Sequence, residues 1–123
     1  MSEKLFVYGT LRLNGGSNHL LGEAQLIGEA TTKGVLYDME AFPALVREEG
    51  VVKGEVWEVP GTLLGALDYY EGAPELYVRH KFPVEVVVGS VVVEMLAWVY
   101  VYQLSVEGLK WIESGDWVEE RGG

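Results

Sequence analysis

Two long β-rich runs in the second half of the chain constrain its fold more than any other feature. Residues 78–88 and 91–102 are rich in valine and aromatic residues, and only Gly89-Ser90 separates them. A glycine in the first position of a two-residue loop is typical of a type II′ turn, which connects antiparallel strands. The pattern therefore predicts a long β-hairpin.

Shorter strand signals precede this hairpin. The apolar run of residues 5–8 stops at Gly9 and indicates a buried first strand that enters a tight turn. Residues 25–29 and 34–38 are candidate strands separated by a polar turn. Residues 51–59 alternate between two faces, which is typical of a strand.

Three short segments have helical signals, and they are residues 17–21, 62–70 and 106–112. In the middle segment, Leu63, Leu67 and Tyr70 follow the i, i+4 and i+7 spacing of one helix face. Thr62 is a candidate cap for the beginning of this helix, and Gly72 is expected to end it. We therefore expect short helices beside the strands.

The predicted strands dominate the chain, and many of them are apolar on both faces. A sheet that curls into a small barrel, with one or two helices over an opening, gives both faces apolar neighbours. We therefore predict an α+β fold with a small mixed, mainly antiparallel, barrel-like sheet and short flanking helices. In a chain of 123 residues, we expect residues 1–120 to form a single domain and residues 121–123 a loose tail.

Charge and cysteine content exclude several classes of partner and site. Lys and Arg total 9 and Asp and Glu total 19, so the net charge is −10. Because so acidic a chain is repelled by phosphate groups, neither nucleic acid nor an anionic membrane is an expected partner. The chain has no cysteine, which excludes disulfides, thiolate metal sites and cysteine nucleophiles. A small anionic substrate held by local cations is compatible with this composition.

The beginning of the sequence does not have the pattern of a signal peptide. Residues 1–4 are not a basic start, and no apolar run of the required length follows them. The longest apolar stretch, residues 95–101, is far shorter than a membrane span. We therefore expect a cytoplasmic protein.

A first candidate segment for function follows the first predicted strand directly. It contains Tyr8, Gly9, Thr10 and Leu11. A glycine here lets the backbone turn sharply and leaves successive N–H groups pointing outward, as a nest for a carboxylate or an oxyanion. An ordinary turn between strand and loop explains the same residues. Arg12, which comes next, is expected to be solvated.

The second candidate segment is residues 67–72, in which Glu71 follows the predicted helix beside aromatic residues. A carboxylate walled by tyrosine and leucine loses solvation, and its pKa should rise. Such a group suits general acid–base work near neutral pH. The alternative is one more exposed glutamate. His19 and His80 do not have the spacing of zinc ligands, so no metal or other cofactor is expected.

A series of short blocks then points to a family. They are residues 6–12, 18–19, 42–45, 52–59, 67–72, 77–79 and 114–117, with the sequences FVYGTLR, NH, FPAL, VKGEVWEV, LDYYEG, YVR and SGDW. On these blocks, which extend over nearly the whole chain, the sequence resembles the gamma-glutamylcyclotransferase-like family. This family includes the gamma-glutamylamine cyclotransferases.

The resemblance implies a small barrel-like mixed sheet with flanking helices, in agreement with the fold predicted above. It also implies an enzyme that releases 5-oxoproline from a gamma-glutamyl amine or amino acid, through attack of the substrate's own α-amine on its γ-carbonyl. By this resemblance, Glu71 is the general acid–base group. Tyr8, Gly9, Thr10 and Leu11 form the loop that holds the small-molecule gamma-glutamyl substrate. Such a reaction needs neither a protein nucleophile nor a metal.

The same blocks add further candidates. Tyr77 and Arg79 are candidates for substrate binding, although Arg79 could pair either with a substrate carboxylate or with a structural one. Asp116 and Trp117 are expected to seal the barrel. Tyr70 stands where relatives commonly have an aliphatic residue, and its ring is expected to narrow or occlude the pocket.

Two other kinds of function are alternatives to the enzyme. One is a binding module that keeps the barrel and its pocket without turnover. The other is an interaction protein, a dimer built on the hairpin strand of residues 91–102. The presence of Glu71 and of residues 8–11 favours the enzyme, because a binding module need not keep the base. Both a monomer and a homodimer are compatible with the enzyme.

Overall fold

The computed structural model describes residues 1–120, with side chains described as far as residue 118. The strands are β1 (Ser2–Val7), β2 (Gln25–Asp38), β3 (Pro43–Pro60), β4 (Tyr77–Val88), β5 (Val91–Tyr102) and β6 (Lys110–Ile112). The helices are α1 (Leu63–Tyr70), α2 (Trp117–Glu120) and a 3-10 helix (Asn18–Leu21). The predicted loose tail, residues 121–123, lies outside the described residues.

Five of the strands close into a ring of hydrogen-bonded pairs. β1 pairs antiparallel with β3 and parallel with β5. β5 pairs antiparallel with β4, β4 with β2, and β2 with β3. β6 lies beside the end of β2 and extends the sheet there. The prediction of a mixed, mainly antiparallel, barrel-like sheet is therefore confirmed.

The ring explains why many strands are apolar on both faces. One buried cluster takes side chains from all five ring strands, including Phe6 of β1. A second cluster contains Leu5 and Val7 of β1 together with Leu64 and Leu67 of α1. Because successive side chains of a strand point to opposite faces, β1 is buried on both. The six residues of β1 thus connect the two halves of the core.

The long hairpin is confirmed. β4 and β5 pair along their whole length, from Tyr77 with Tyr102 to Val88 with Val91. The loop between them is Gly89-Ser90, and Gly89 has a φ of 63°. A positive φ in the first loop position is what a type II′ turn requires.

The prediction of two separate strands at residues 25–29 and 34–38 is wrong. The chain continues between them as one strand, β2, whose residues Thr31, Thr32 and Lys33 pair with β3. The pairing shifts between Lys33 and Val35, so the irregularity that indicated a turn is a bulge within the ladder. The hydroxyl of Thr32 is buried and donates a hydrogen bond to the carbonyl oxygen of Pro83 at 3.0 Å. That bond satisfies a polar group inside the sheet.

The prediction of a helix at residues 106–112 is also wrong. The chain makes a turn closed by the N–H of Leu109 on the carbonyl oxygen of Val106, and β6 follows. β6 pairs antiparallel with Leu36, Tyr37 and Asp38 at the end of β2. The sheet edge offers backbone hydrogen bonds to this short segment, and that tertiary context overrides its local preference.

The predicted helix beside residue 71 is confirmed as α1, and Gly72 follows its end with a φ of 69°. The structure buries Leu64 and Leu67 in this helix. Thr62 does not cap it, since its side chain makes no capping hydrogen bond and its backbone is already helical. α1 has eight residues, and no helix in residues 1–120 is long and apolar enough to cross a membrane.

Two neighbouring side chains of β6 differ in burial, and the two positions should differ in their effect on stability. Ile112 is 1% exposed, whereas the neighbouring Trp111 is 56% exposed. We expect Ile112→Ala to lower the free energy of unfolding by about 2–4 kcal/mol, because it leaves a cavity in the core. Trp111→Ala removes a larger side chain but should lower it by less than about 1 kcal/mol. Urea unfolding of both variants checks this, and equal losses would contradict the assignment of the two faces.

Candidate active site

A pocket opens where β1 ends and the chain leaves the ring. It measures about 360 Å³, counting the space at its mouth. Its lining residues come from the end of β1, the loop after it, the start of β3, and the segments around α1, β4 and β5. They are Phe6, Val7, Tyr8, Gly9, Thr10, Leu11, Phe42, Pro43, Glu71, Tyr77 and Tyr100. Among these lining residues, Glu71 is the only one with a charged side chain. Six of the seven predicted site residues therefore meet in one place.

The loop after β1 lines this pocket and contains backbone N–H groups without a hydrogen-bond partner among the described residues. It makes a tight turn in which the N–H of Arg12 donates to the carbonyl oxygen of Gly9 at 3.1 Å. Within residues 1–120, the N–H groups of Gly9, Thr10 and Leu11 have no acceptor. Successive N–H groups of this kind can bind a carboxylate or an oxyanion.

Gly9 is required for a different reason than the sequence indicated. The φ of Gly9 lies outside the left-handed region, so other residues could adopt this backbone conformation and the turn alone does not require a glycine. Instead, a Cβ atom at Gly9 would lie 2.8 Å from two ring atoms of Pro43. The proline ring packs directly against the backbone of the loop, which therefore has no room for a side chain at this position.

Glu71 follows α1 directly, and its carboxylate is half-buried beside the aromatic residues of the pocket. Burial raises the pKa of Glu71 from its ordinary value of 4.5 to about 7. Within the described part of the chain, no side chain donates a hydrogen bond to this carboxylate, so nothing offsets the loss of water. A carboxyl group with such a pKa exchanges protons readily at neutral pH, as a general acid–base group must.

Three tyrosines form the wall around Glu71, and their hydroxyl groups are already engaged. Tyr8 donates to the carbonyl oxygen of Tyr100 at 2.6 Å, and Tyr77 donates to that of Pro43 at 2.7 Å. Tyr100 donates to the carboxylate of Asp68 at 2.6 Å. Burial, with a contribution from the charge of Glu71, raises the pKa of each tyrosine. These side chains therefore exclude water from Glu71 without hydrogen bonding to it.

Arg79 is the predicted site residue that does not line this pocket. Its guanidinium donates two hydrogen bonds to the carboxylate of Asp68, at 2.8 and 3.1 Å, and lies 4.4 Å from the ring centre of Trp98. The sequence left open whether Arg79 pairs with a substrate carboxylate or with a carboxylate of the protein. In the structure its partner is a carboxylate of the protein, that of Asp68. Burial acts to raise the pKa of Asp68, but the hydrogen bonds from Arg79 and Tyr100 and the charge of Arg79 outweigh it and lower that pKa.

The pair of Asp68 and Arg79 supports the site indirectly. Asp68 lies on α1, three residues before Glu71, and Arg79 lies on β4. Their ion pair ties the helix to the hairpin, and Tyr100 of β5 joins it through its hydroxyl group. The end of α1, and with it the position of Glu71, is therefore fixed relative to the ring.

Arg12 is not solvated, contrary to expectation. Its side chain is 11% exposed, and it donates to Asp116 at 2.8 Å. Its Nε atom lies 3.7 Å from the buried carboxylate of Glu55, which accepts a hydrogen bond from the N–H of Leu13 at 2.7 Å. These contacts fasten the chain just beyond the pocket loop. Trp117, which was expected to seal the barrel, is buried in the core that the five ring strands share.

Sequence reasoning missed Tyr100 and Glu55 as residues that shape the site. Tyr100 is one of many aromatic residues in β5, and its sequence position does not show that it reaches α1. Glu55 looks like an ordinary strand glutamate, although its position directly before the apolar residues Val56 and Trp57 was an available signal. Their roles depend on partners far away in the chain.

No cluster of metal-ligating side chains is formed in residues 1–120. His19 and His80 are both exposed on the surface. Neither histidine lines the pocket that contains Glu71. The polar side-chain groups that line the pocket are thus the carboxyl of Glu71, the hydroxyl of Thr10 and the tyrosine hydroxyls, and the tyrosine hydroxyls donate to acceptors other than Glu71.

Comparison with known proteins agrees with this geometry. A family model described as gamma-glutamyl cyclotransferase, AIG2-like, matches residues 5–119. The gamma-glutamylcyclotransferase family protein YtfP of Escherichia coli K12 is 38% identical over 117 residues, which cover 94% of this chain and 96% of that protein. Both findings extend over nearly the whole sequence.

Solved structures show the same fold. The solution structure of ytfP from Escherichia coli has a TM-score of 0.70 at 35% identity, over 96% of this chain and 98% of that chain. The crystal structure of an AIG2-like protein from Mus musculus has a TM-score of 0.77 at 26% identity, over 91% and 86%. The ring of strands and its flanking helices thus define the gamma-glutamylcyclotransferase fold. The chain belongs to the gamma-glutamylcyclotransferase family, and the resemblance inferred from the sequence blocks is confirmed.

The raised pKa of Glu71 predicts a specific pH dependence of stability. Between about pH 4.5 and pH 7, the folded protein keeps a proton that the unfolded chain has released. The free energy of unfolding should therefore fall as the pH rises through this window, and the effect should level off above it. Glu71→Gln has no such proton, so its stability relative to wild type should improve across the same window.

Urea unfolding over a pH series checks this prediction. Glu75→Gln is a matched control, because Glu75 is an exposed glutamate four residues further along the chain. Its stability relative to wild type should not change in the same way. A constant difference between Glu71→Gln and wild type at all pH values would contradict the shifted pKa.

Proposed function

We propose that this protein is a gamma-glutamylcyclotransferase that releases 5-oxoproline from a gamma-glutamyl amine or gamma-glutamyl amino acid. The observation that carries the proposal is the half-buried carboxyl group of Glu71, with its pKa of about 7, in one pocket with the unpaired N–H groups of the loop after β1. The carboxyl group of Glu71 can move protons at neutral pH, and the N–H groups of the loop can bind negative charge.

The proposed reaction begins with the α-ammonium group of the substrate. Glu71 in its ionised form accepts a proton from this group, and the neutral amine attacks the γ-carbonyl carbon. A carbon–nitrogen bond forms and closes the five-membered ring. The bond from the same carbon to the leaving nitrogen then breaks, Glu71 returns its proton to that nitrogen, and the ring nitrogen releases its second proton to water. The products are 5-oxoproline and a free amine, and no oxidant, reductant or protein nucleophile takes part.

The loop after β1 supports the proposed reaction by binding negative charge. The N–H groups of Gly9, Thr10 and Leu11 are available to the α-carboxylate of the substrate and to the oxyanion that develops on the γ-carbonyl. No arginine or lysine lines the pocket among the described residues. In this proposal the backbone therefore performs the task for which Arg79 was considered.

Holding the substrate in a folded pose is the second contribution to rate. The amine and the carbonyl belong to one molecule, so the pocket needs only to favour the conformation in which they meet. Fixing such a near-attack geometry lowers the barrier by several kcal/mol. Tyr77 and Tyr8 form a rigid wall for this purpose, because each hydroxyl group is anchored to a backbone carbonyl.

Turnover of a substrate panel tests the proposal. The panel contains several gamma-glutamyl dipeptides and ε-(gamma-glutamyl)-lysine, and the measured quantity is released 5-oxoproline. Wild type should release it from at least one member, and the preferred member identifies the leaving group. Glu71→Gln should lower kcat/KM by about a hundredfold or more, because it keeps the shape of the side chain and removes the base.

The control for this experiment is Glu75→Gln, which should retain wild-type activity. Full activity in Glu71→Gln would show that another group moves the proton. If wild type binds gamma-glutamyl compounds and releases no 5-oxoproline, the pocket belongs to a binding module and the proposed reaction is wrong.

A further inference from the structure

Thr10 is in close contact with three residues outside its own turn, and they are Gly15, Ser17 and Tyr70. The N–H of Ser17 donates to the carbonyl oxygen of Thr10 at 2.9 Å. A Cβ atom at Gly15 would lie 2.2 Å from the same carbonyl oxygen, so the loop folds back onto Thr10 without room for a side chain. The hydroxyl of Tyr70 lies 3.1 Å from that of Thr10. Both the backbone and the side chain of Thr10 are thereby fixed.

The hydrogen bonds of Tyr70 set the direction of the contact with Thr10. The hydroxyl of Tyr70 donates to the Oγ atom of Ser17 at 2.8 Å. A tyrosine hydroxyl has a single proton, so it can only accept from Thr10. The proton of Thr10 therefore points to Tyr70, and no side chain described in residues 1–118 donates to the lone pairs of its oxygen. Thr10 is one of the residues that line the pocket, so its hydroxyl oxygen is a hydrogen-bond acceptor beside that pocket.

We propose that Tyr70 is a positioning residue that fixes the hydroxyl of Thr10 as the hydrogen-bond acceptor for the attacking α-amine of the substrate. This inference rests on the proposed function, since it assigns a residue to the amine of that substrate. An acceptor can bind an N–H of the amine before and after it loses its proton. A hydroxyl that rotated freely would also donate, and a donor pointing at an ammonium group would repel it.

The placement of Tyr70 suits this role. Tyr70 is the last residue of α1, and Glu71 comes directly after it. The same helix end therefore places the proposed base and the residue that orients the proposed acceptor. The ring of Tyr70 also meets that of Phe42 edge to face, with centres 6.5 Å apart. The ring is thus held against Phe42, which lines the pocket, independently of its hydroxyl group.

The experiment compares Tyr70→Phe, Thr10→Val and the double variant. Tyr70→Phe keeps the ring contact with Phe42 and removes only the hydroxyl. It should raise KM by about tenfold, the size expected for a hydrogen bond to a charged group. The turnover number should stay within about twofold, because the contact is made by bound substrate as well as in the transition state. Thr10→Val should raise KM at least as much.

The double variant separates positioning from a merely structural effect. If Tyr70 acts through Thr10, Tyr70→Phe should have no further effect on KM when Thr10 is already valine. Equal effects of Tyr70→Phe in both backgrounds would overturn the inference, and so would an unchanged KM in Tyr70→Phe. Tyr69→Phe is the matched control, because Tyr69 is 89% exposed on the same helix. It should behave as wild type.

A binding measurement keeps the inference testable without turnover. L-Glutamine and its deamino analogue, glutaramic acid, differ only in the α-ammonium group. In calorimetric titrations at slightly acidic pH, wild type and Tyr69→Phe should prefer L-glutamine by about tenfold. Tyr70→Phe should lose most of that preference.

The two measurements distinguish the possible failures. A preference for L-glutamine that depends on Tyr70, without any release of 5-oxoproline, would support the inference and contradict the proposed reaction. Turnover by wild type with unchanged kinetics in Tyr70→Phe would contradict the inference alone. Equal binding of the two ligands by wild type, or binding of neither, would overturn the inference as well.

Discussion

The pairing of β1 on both sides is the constraint on which the rest of the structure depends. This strand of six residues pairs with β3 along one edge and with β5 along the other. It closes the ring, and its alternating side chains contribute to both apolar clusters. Because the chain must leave the ring where β1 ends, the loop with its unpaired N–H groups is delivered to the pocket mouth. The position of the site is thus a consequence of how the ring of strands closes.

Loss of water around Glu71 then raises the pKa of the one charged side chain among the described residues that line the pocket. The aromatic side chains beside Glu71 direct their hydroxyl groups to other acceptors, so they remove water from the carboxylate and return no hydrogen bond. Asp68, three residues earlier on α1, has the opposite environment, because Arg79 and Tyr100 stabilise its charge. Two acidic residues three positions apart therefore have opposite pKa shifts, since the pKa of Asp68 is lowered and that of Glu71 is raised.

The sequence predicted those features that depend on nearby residues. The hairpin follows from two apolar runs and a two-residue loop, and α1 follows from its leucine spacing and from Gly72. The failures concern distant partners. Residues 110–112 form a strand because the end of β2 offers them hydrogen bonds, and Arg12 is not solvated because Asp116 and Glu55 meet it in space. The contact between Thr10 and Tyr70 joins residues sixty positions apart, which no local pattern shows.

The central claim is that burial makes Glu71 a proton-exchanging group at neutral pH, and its titration tests that claim most directly. The side-chain carboxyl carbon of Glu71 can be followed by NMR in labelled protein as the pH is raised, with Glu71→Gln to assign the signal. The account predicts a midpoint near pH 7. A midpoint near the ordinary value of 4.5 would contradict it, because the carboxylate would then be solvated and too weak a base for the proposed chemistry.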